Sequence, residues 1–126
     1  MVSREKSVLS VNEKILVVDD DIAVRDLTAE ILTLQGYSVL CASNAAAALD
    51  MLKRESISIV VSDVVMSGID GFQLVERIKL EYPGIKILLV SGYNDCIAQN
   101  MAVEILNKPF RAEALVLLVS ELLRAA

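Results

Sequence analysis

The chain has 126 residues, 55% of them hydrophobic, and a formal net charge of −5 at pH 7, which predicts one domain with a well-buried core. The acidic balance and the lack of a basic cluster argue against direct binding to nucleic acid. The sequence contains no histidine, which excludes histidine-based general base catalysis and histidine-ligated zinc, and it has no apolar run of about 18 residues that could span a membrane.

The N-terminal residues are polar and carry no periodic pattern, so we predict a loose tail at 1–13 and a folded domain at 14–126. The tail lacks the apolar segment of a secretory signal. Cys41 and Cys96 are isolated, without C-x-x-C spacing, and they indicate reduced thiols in a cytoplasmic protein rather than a disulfide or a metal site.

Five short apolar runs follow the tail, and several consist almost wholly of β-branched residues and leucine. Continuous runs of this kind are typical of parallel strands that are covered on both faces. The predicted strands are ILVV at 15–18, YSVLCA at 37–42, ISIVVS at 57–62, IKILLV at 85–90 and AVEIL at 102–106.

Helical patterns separate these runs, and the predicted helices cover 22–34, 45–53, 72–82 and 111–125. Asp21 stands where the N-cap of the first helix belongs, and Ser43 or Asn44 would cap the second. The segment SGYNDCIAQN leaves room for only a short fourth helix before the last strand. Five βα repeats predict an α/β fold, a doubly wound, flavodoxin-like (βα)5 domain whose five-stranded parallel sheet has the strand order 2-1-3-4-5.

Polar or charged side chains lie at the ends of four predicted strands, at the edge where doubly wound sheets bind ligands. They are Asp19, Asp20 and Asp21 after the first strand, Asp63 after the third, Ser91 after the fourth and Lys108 after the fifth. Capping or turn chemistry explains each feature alone, whereas their conjunction at one edge indicates a site. No glycine-rich phosphate loop follows the first strand, so a dinucleotide site is not supported.

Three of these carboxylates, Asp19, Asp20 and Asp63, would form a pocket of hard oxygen ligands suited to Mg²⁺, with Mn²⁺ as an alternative. Two unit charges ~5 Å apart at an effective dielectric of about 20 repel by roughly 3 kcal/mol, and a divalent cation would relieve that repulsion. A carboxylate beside a cation, the Ser91 hydroxyl and the Lys108 ammonium could act as a nucleophile toward a phosphoryl donor.

The motifs ILVVDDD, SDVVMSGIDG, LLVSGY and NKPF occur in this order, each at the end of a predicted strand. In these motifs, and over nearly the whole of 14–125, the chain resembles the receiver domain of two-component response regulators. The resemblance implies that a histidine kinase or a histidine phosphotransfer protein donates a phosphoryl group to an aspartate of this chain. It implies no enzymatic activity beyond Mg²⁺-dependent self-phosphorylation and dephosphorylation at that aspartate.

The resemblance also implies a role for individual residues. Asp63 matches the phosphoacceptor, Asp19 and Asp20 match the acidic pair that holds Mg²⁺ directly or through water, and the backbone carbonyl of Val65 matches a further metal ligand. Ser91 and Lys108 match the hydroxyl and the lysine that contact the phosphoryl group. Pro109 matches a proline preceded by a cis bond, and Asp70 and Gly71 match the aspartate-glycine turn that opens the third helix.

Three features depart from the family's pattern. Ser67 stands where a proline is usual, and Ile105 replaces the switch aromatic. Ile105 cannot hydrogen-bond, so it cannot supply the usual coupling between the hydroxyl and an aromatic side chain. The interval from Ser91 to Lys108 is also short, by roughly one turn of helix. We therefore expect intact phosphorylation chemistry, and the sequence leaves the output open.

Two alternatives remain beside the receiver interpretation. A pseudo-receiver would keep the fold as a binding module without being phosphorylated. A phosphatase of the haloacid dehalogenase type would use Asp19-x-Asp21 as its D-x-D motif, but Ala23 replaces the expected Thr or Val and no acidic pair follows Lys108.

The last predicted helix carries more apolar residues than one core-facing stripe needs. Leu115, Leu118, Val119 and Leu122 suffice for that stripe, and Val116, Leu117 and Leu123 add to it. Generous burial would explain the excess, and a homodimer through this helix is the functional alternative. The sequence leaves open whether the receiver stands alone or belongs to a longer regulator or a hybrid kinase.

Overall fold

The computed structural model of the chain describes residues 13–66, 71–92 and 103–125. Five parallel strands form one sheet in the order β2-β1-β3-β4-β5, which confirms the predicted doubly wound fold. The strands are β1 (Lys14–Val18), β2 (Ser38–Ala42), β3 (Ile59–Asp63), β4 (Lys86–Ser91) and β5 (Glu104–Asn107). The described helices are α1 (Ile22–Leu34), α2 (Ala45–Arg54), α3 (Gly71–Glu81) and α4 (Ala112–Arg124). The short helix predicted between β4 and β5 falls on residues 93–102, outside the described part of the chain.

Each face of the sheet carries its own core, because successive side chains of a strand point to opposite faces. In β1, Leu16 and Val18 pack on one face against α2 and α3, where Leu74 is fully buried. Ile15 and Val17 pack on the other face with Leu32 of α1 and Leu115 of α4. The other buried residues of this second core are Ile59, Val61, Leu88, Val90, Leu106 and Val119. Burial on both faces explains why the strands have continuous apolar sequences.

The helix caps follow from local sequence. Asp21 is the N-cap of α1 and accepts hydrogen bonds from the backbone N–H groups of Ala23 (3.0 Å) and Val24 (3.4 Å). Asn44 caps α2 by accepting a bond of 2.7 Å from Ala47 N. The predicted capping roles of Asp21 and Asn44 are therefore confirmed, and each cap satisfies a backbone donor that the first turn leaves without a helical partner.

The strand register aligns the ends of the central strands. Val18 of β1 lies opposite Ser62 of β3, and β3 continues one residue further than its apolar run, so that Asp63 lies opposite Val90 of β4. The backbone N–H of Val64 then donates to Val90 O at 3.0 Å, which extends the ladder past the apolar run. Asp63 is consequently the last residue of a strand rather than the first residue of a loop.

Candidate functional site

Three carboxylates converge at the carboxyl edge of the sheet. Asp19 directly follows β1, Asp20 is the next residue, and Asp63 ends β3. One side-chain oxygen from each lies within 4.8 Å of the others, so these atoms could share a metal ion. Asp19 is buried, Asp63 is half-buried and Asp20 is exposed. The cluster therefore opens to solvent on the Asp20 side.

Asp19 is held by contacts to four other residues, which lie in three parts of the chain. Its backbone N–H donates to Ala42 O of β2 at 3.1 Å, and its carbonyl accepts a bond of 2.9 Å from Arg25 Nη1. Its carboxylate Oδ1 accepts a bond of 2.9 Å from Asp21 N, while Oδ2 lies 3.8 Å from Lys108 Nζ. Each carboxylate oxygen of the buried Asp19 therefore has a polar partner, a hydrogen-bond donor for Oδ1 and an ammonium group for Oδ2.

Lys108 is the cation of the described cluster. Its Nζ lies 3.4 Å from Asp63 Oδ2 as well as 3.8 Å from Asp19 Oδ2. The backbone N–H of Lys108 donates to Ser91 O at 2.7 Å, which aligns the end of β5 with the end of β4. The Lys108–Pro109 peptide bond is cis. One ammonium group therefore faces two carboxylates from different strands.

Burial raises the pKa of Asp19 above its ordinary value, because water no longer stabilises the charged form. The hydrogen bond from the Asp21 N–H opposes this effect on the pKa, as does the charge of Lys108, whereas the charges of Asp63 and Asp20 raise the pKa further. Closely spaced carboxylates that disfavour each other's charge are a suitable donor set for a hard divalent cation.

The backbone around Asp63 is packed closely against the start of α3. Gly71 N donates to Val64 O at 2.8 Å, and a Cβ added at Gly71 would lie 2.4 Å from Asp63 O. On the other side, the buried Ser62 donates from Oγ to the same Asp63 carbonyl at 2.9 Å. Only glycine fits at position 71 without moving the backbone that carries Asp63.

The other predicted site residues occupy distinct positions. Ser91 is buried as the last residue of β4, opposite Asn107 of β5. Val65 is exposed just beyond β3, and Ile105 is half-buried against the same core cluster as Leu89. Ser67 and Asp70 lie outside the described residues.

Sequence reasoning missed two residues that contact the site. Arg25 appears in the sequence only as a polar position of an amphipathic helix, and Ser62 appears only as the end of a strand. No local pattern distinguishes either residue, because each acts on a backbone carbonyl whose position depends on the tertiary fold. The spacing of Arg25 one helical turn after the Asp21 cap is the nearest available signal.

The fold and site define an α/β domain with a doubly wound parallel sheet that carries an acidic cluster and a lysine at its carboxyl edge. Comparison with known proteins identifies its family. The family model of the response regulator receiver domain matches residues 15–120. The chain therefore belongs to the response regulator receiver domain family.

Two curated relatives illustrate the similarity. The response regulator protein FleR of Pseudomonas aeruginosa is 41% identical over 112 residues, which cover 85% of this chain and 24% of that protein. The transcriptional regulatory protein FixJ of Bradyrhizobium diazoefficiens is 37% identical over 117 residues, which cover 89% of this chain and 57% of that protein. The chain thus matches only part of the length of each of these relatives.

A solved structure agrees with this assignment. The receiver domain of NtrX from Brucella abortus has a TM-score of 0.84 and 30% sequence identity, and the match covers 89% of this chain and 99% of that domain. The similarity therefore extends over essentially the whole of a solved receiver domain.

No helix in the described ranges is long and apolar enough to cross a membrane.

Proposed function

We propose that this chain is a phosphoacceptor receiver of a histidine-to-aspartate phosphorelay, with Asp63 as the acceptor. The supporting observation is the convergence of Asp19, Asp20 and Asp63, whose oxygens lie within 4.8 Å of one another, with Lys108 Nζ 3.4 Å from Asp63 Oδ2. Family membership supports this class of reaction, and the residues of the cluster are candidates for each part of it.

In the proposed reaction, one Asp63 carboxylate oxygen attacks the phosphorus of a phosphohistidine. A new O–P bond forms, the N–P bond breaks, and the electron pair of that bond stays on the imidazole nitrogen of the donor. The product is an acyl phosphate on Asp63. Formation of this bond removes the negative charge of one carboxylate and places a dianionic group beside Asp19 and Asp20, so the site needs added positive charge.

Asp19, Asp20, Asp63 and the backbone carbonyl of Val65 are the residues that would hold Mg²⁺ or Mn²⁺. All four are hard oxygen donors, and the buried Asp19 is disfavoured as a lone charge, so the donor set fits such an ion. When bound, the ion supplies positive charge next to the phosphoryl oxygens. Lys108 would pair with the phosphoryl group, and the Ser91 hydroxyl would donate a hydrogen bond to it.

Phosphorylation would then shift the conformation of the domain and so signal. The half-buried Ile105 cannot hydrogen-bond with Ser91 as an aromatic hydroxyl could. The output of this receiver would therefore depend on apolar repacking of Ile105 against its core cluster, which includes Leu89.

The proposed partners are a histidine kinase or a histidine phosphotransfer protein in the cytoplasm, without direct binding to nucleic acid or membrane. Self-phosphorylation and self-dephosphorylation at Asp63 would be the only reactions that the chain itself carries out.

Homodimerisation through the last helix stays a prediction. A cavity of about 420 Å³ between α1 and α4 includes Leu34 and Leu117, both exposed, and sedimentation of the protein with and without a phosphoryl mimic would test the dimer.

The deciding experiment is incubation with acetyl phosphate and Mg²⁺, followed by mass spectrometry of the intact protein. We expect one acid-labile phosphoryl group on the parent chain and none on Asp63→Asn. An unchanged mass for the parent, both here and with a panel of phosphorylated kinases, would identify a pseudo-receiver instead. Sustained turnover of a phosphomonoester that Asp19→Asn abolishes would favour the phosphatase alternative.

A further inference from the structure

Arg25 links helix α1 to the end of β1 through a contact outside the cluster of proposed site residues. Its Nη1 atom donates to the main-chain carbonyl of Asp19 at 2.9 Å. Its own backbone N–H donates to Asp21 O at 2.9 Å, within the first turn of α1. The half-buried Arg25 side chain therefore reaches back over the start of the helix to the residue that ends the strand.

The carbonyl that Arg25 contacts belongs to the peptide group joining Asp19 to Asp20. This peptide is planar and rigid, so fixing its oxygen also fixes the direction in which the chain enters Asp20. On its N-terminal side, Asp19 is held by the bond from its N–H to Ala42 O at 3.1 Å. Asp20 itself lies in neither a strand nor a helix, directly after the residue whose carbonyl Arg25 contacts.

Arginine is suited to this contact for two physical reasons. Its guanidinium group stays charged at every accessible pH and presents its donors in a planar fork, which makes it a directional hydrogen-bond donor. A charged donor also forms a stronger bond to a carbonyl than a neutral donor does. The link therefore favours one orientation of the peptide between the two acidic residues.

We propose that Arg25 is a positioning residue that holds the Asp19–Asp20 peptide so that the carboxylates of Asp19, Asp20 and Asp63 converge on a divalent cation. This inference rests on the proposed function, because it assumes that these carboxylates bind the cation. Arg25 would touch neither the cation nor the phosphoryl group. Its effect would act through the geometry of the residues that do.

The test is a titration of the Arg25→Met variant with Mg²⁺, in which NMR signals of the backbone amides report binding of the ion. Methionine keeps much of the apolar stem and removes the donors. Loss of an outer partner of a metal ligand typically weakens metal binding 10- to 100-fold, so we expect the Mg²⁺ dissociation constant to rise about tenfold. The matched control is Arg54→Met, which removes an exposed arginine paired with Asp50 at 2.9 Å on α2 and should leave Mg²⁺ affinity within about twofold of the parent.

Phosphorylation by acetyl phosphate provides a second readout that a merely structural role would not change in the same way. The rate for Arg25→Met should fall at limiting Mg²⁺ and return close to the parent rate at saturating Mg²⁺. A folded Arg25→Met protein with parental Mg²⁺ affinity would overturn the inference. If Arg25→Met does not fold, Arg25→Leu, which likewise removes the donors, replaces it. Parental Mg²⁺ affinity of that variant would again overturn the inference.

The outcomes separate this inference from the proposed function. A parent chain that binds no Mg²⁺ refutes both of them. A parent chain that binds Mg²⁺ but accepts no phosphoryl group refutes the proposed function, while the titration of Arg25→Met still decides the role of Arg25. If the parent chain binds Mg²⁺ and accepts a phosphoryl group, and Arg25→Met binds Mg²⁺ with parental affinity, the proposed function stands and only the inference about Arg25 is refuted.

Discussion

Lys108 Nζ lies 3.4 Å from Asp63 Oδ2, although β5 and β3 are not neighbours in the sheet. Strand β4 lies between them, and Lys108 reaches Asp63 from the end of β5 past the end of β4. Both side chains are largely shielded, with exposures of 27% for Lys108 and 12% for Asp63. The pair is therefore screened less by solvent than an ordinary surface ion pair.

This relationship predicts the effect of Lys108→Met, which keeps an apolar stem and removes the charge. We expect phosphorylation of Asp63 by acetyl phosphate to slow by about tenfold or more, because a positive group near the developing charge is lost. Binding of Mg²⁺ should persist, since the three carboxylates remain and their competing ammonium is gone. Rates from intact-protein mass spectrometry and a Mg²⁺ titration would check both parts. An unchanged rate would contradict the proposed contact between Lys108 and the phosphoryl group.

A second prediction separates two neighbouring aspartates. Asp20→Ala should weaken Mg²⁺ binding and phosphorylation together, because it removes one of the three converging carboxylates. Asp21→Asn should leave both nearly unchanged, because asparagine also accepts N-cap hydrogen bonds. Titrations with Mg²⁺ and phosphorylation rates for the two variants provide the measurement. Losses of equal size would show that Asp21 belongs to the functional cluster.

The raised pKa of Asp19 predicts how stability depends on pH when no divalent cation is present. Because the folded-state pKa exceeds the ordinary value of 3.8, the folded state binds more protons than the unfolded state between these two values. The contribution of Asp19 to the free energy of unfolding therefore falls as pH rises through this window and stays low above it. Asp19→Asn removes this penalty and keeps an oxygen that can accept from Asp21 N.

We accordingly expect Asp19→Asn to be more stable than the parent at pH 7 in a chelator, by about 1 kcal/mol. The difference should shrink as pH falls below the Asp19 pKa. Added Mg²⁺ should reverse the order, because only the parent gains the free energy of cation binding. Urea unfolding at several pH values, with and without Mg²⁺, measures each of these effects. A parent that is the more stable protein in chelator at pH 7 would contradict the prediction.

The close approach of Gly71 to Asp63 predicts a stability defect with a functional consequence. In Gly71→Ala, the new Cβ would lie 2.4 Å from Asp63 O and 2.8 Å from Val64 Cα. Neither backbone atom can shift without also moving Asp63, the proposed phosphoacceptor. We expect a loss of about 1–3 kcal/mol in the free energy of unfolding together with slower phosphorylation.

Gly84→Ala is the matched control for this substitution, because a Cβ at Gly84 would meet nothing within 4 Å. It should change stability by no more than about 0.5 kcal/mol. Urea unfolding and acetyl phosphate kinetics of the two variants provide the comparison. Equal behaviour of the two alanine variants would show that the α3 start can shift away from Asp63 at little cost.

Much of the fold could be predicted because its causes are local in the sequence. The continuous apolar run of β1 reflects burial on both faces, and the prediction of α1 at 22–34 agrees with the observed helix Ile22–Leu34. The capping roles of Asp21 and Asn44 follow from the chemistry of their own side chains and the first turn beside them. The same reasoning placed Asp63 at the end of an apolar run, but the added ladder bond from Val64 N to Val90 O includes Asp63 in the strand.

The residues at the carboxyl ends of the strands could be read from the amino-acid sequence, because hydrophobic period and turn chemistry depend only on neighbouring residues. The tertiary structure alone decided which of their atoms meet. The contacts of Lys108 with Asp63, of Arg25 with the Asp19 carbonyl and of Gly71 with the Asp63 backbone depend on strand order, register and helix packing. Those features result from burying both faces of the sheet at once, and no local stretch of sequence contains that information.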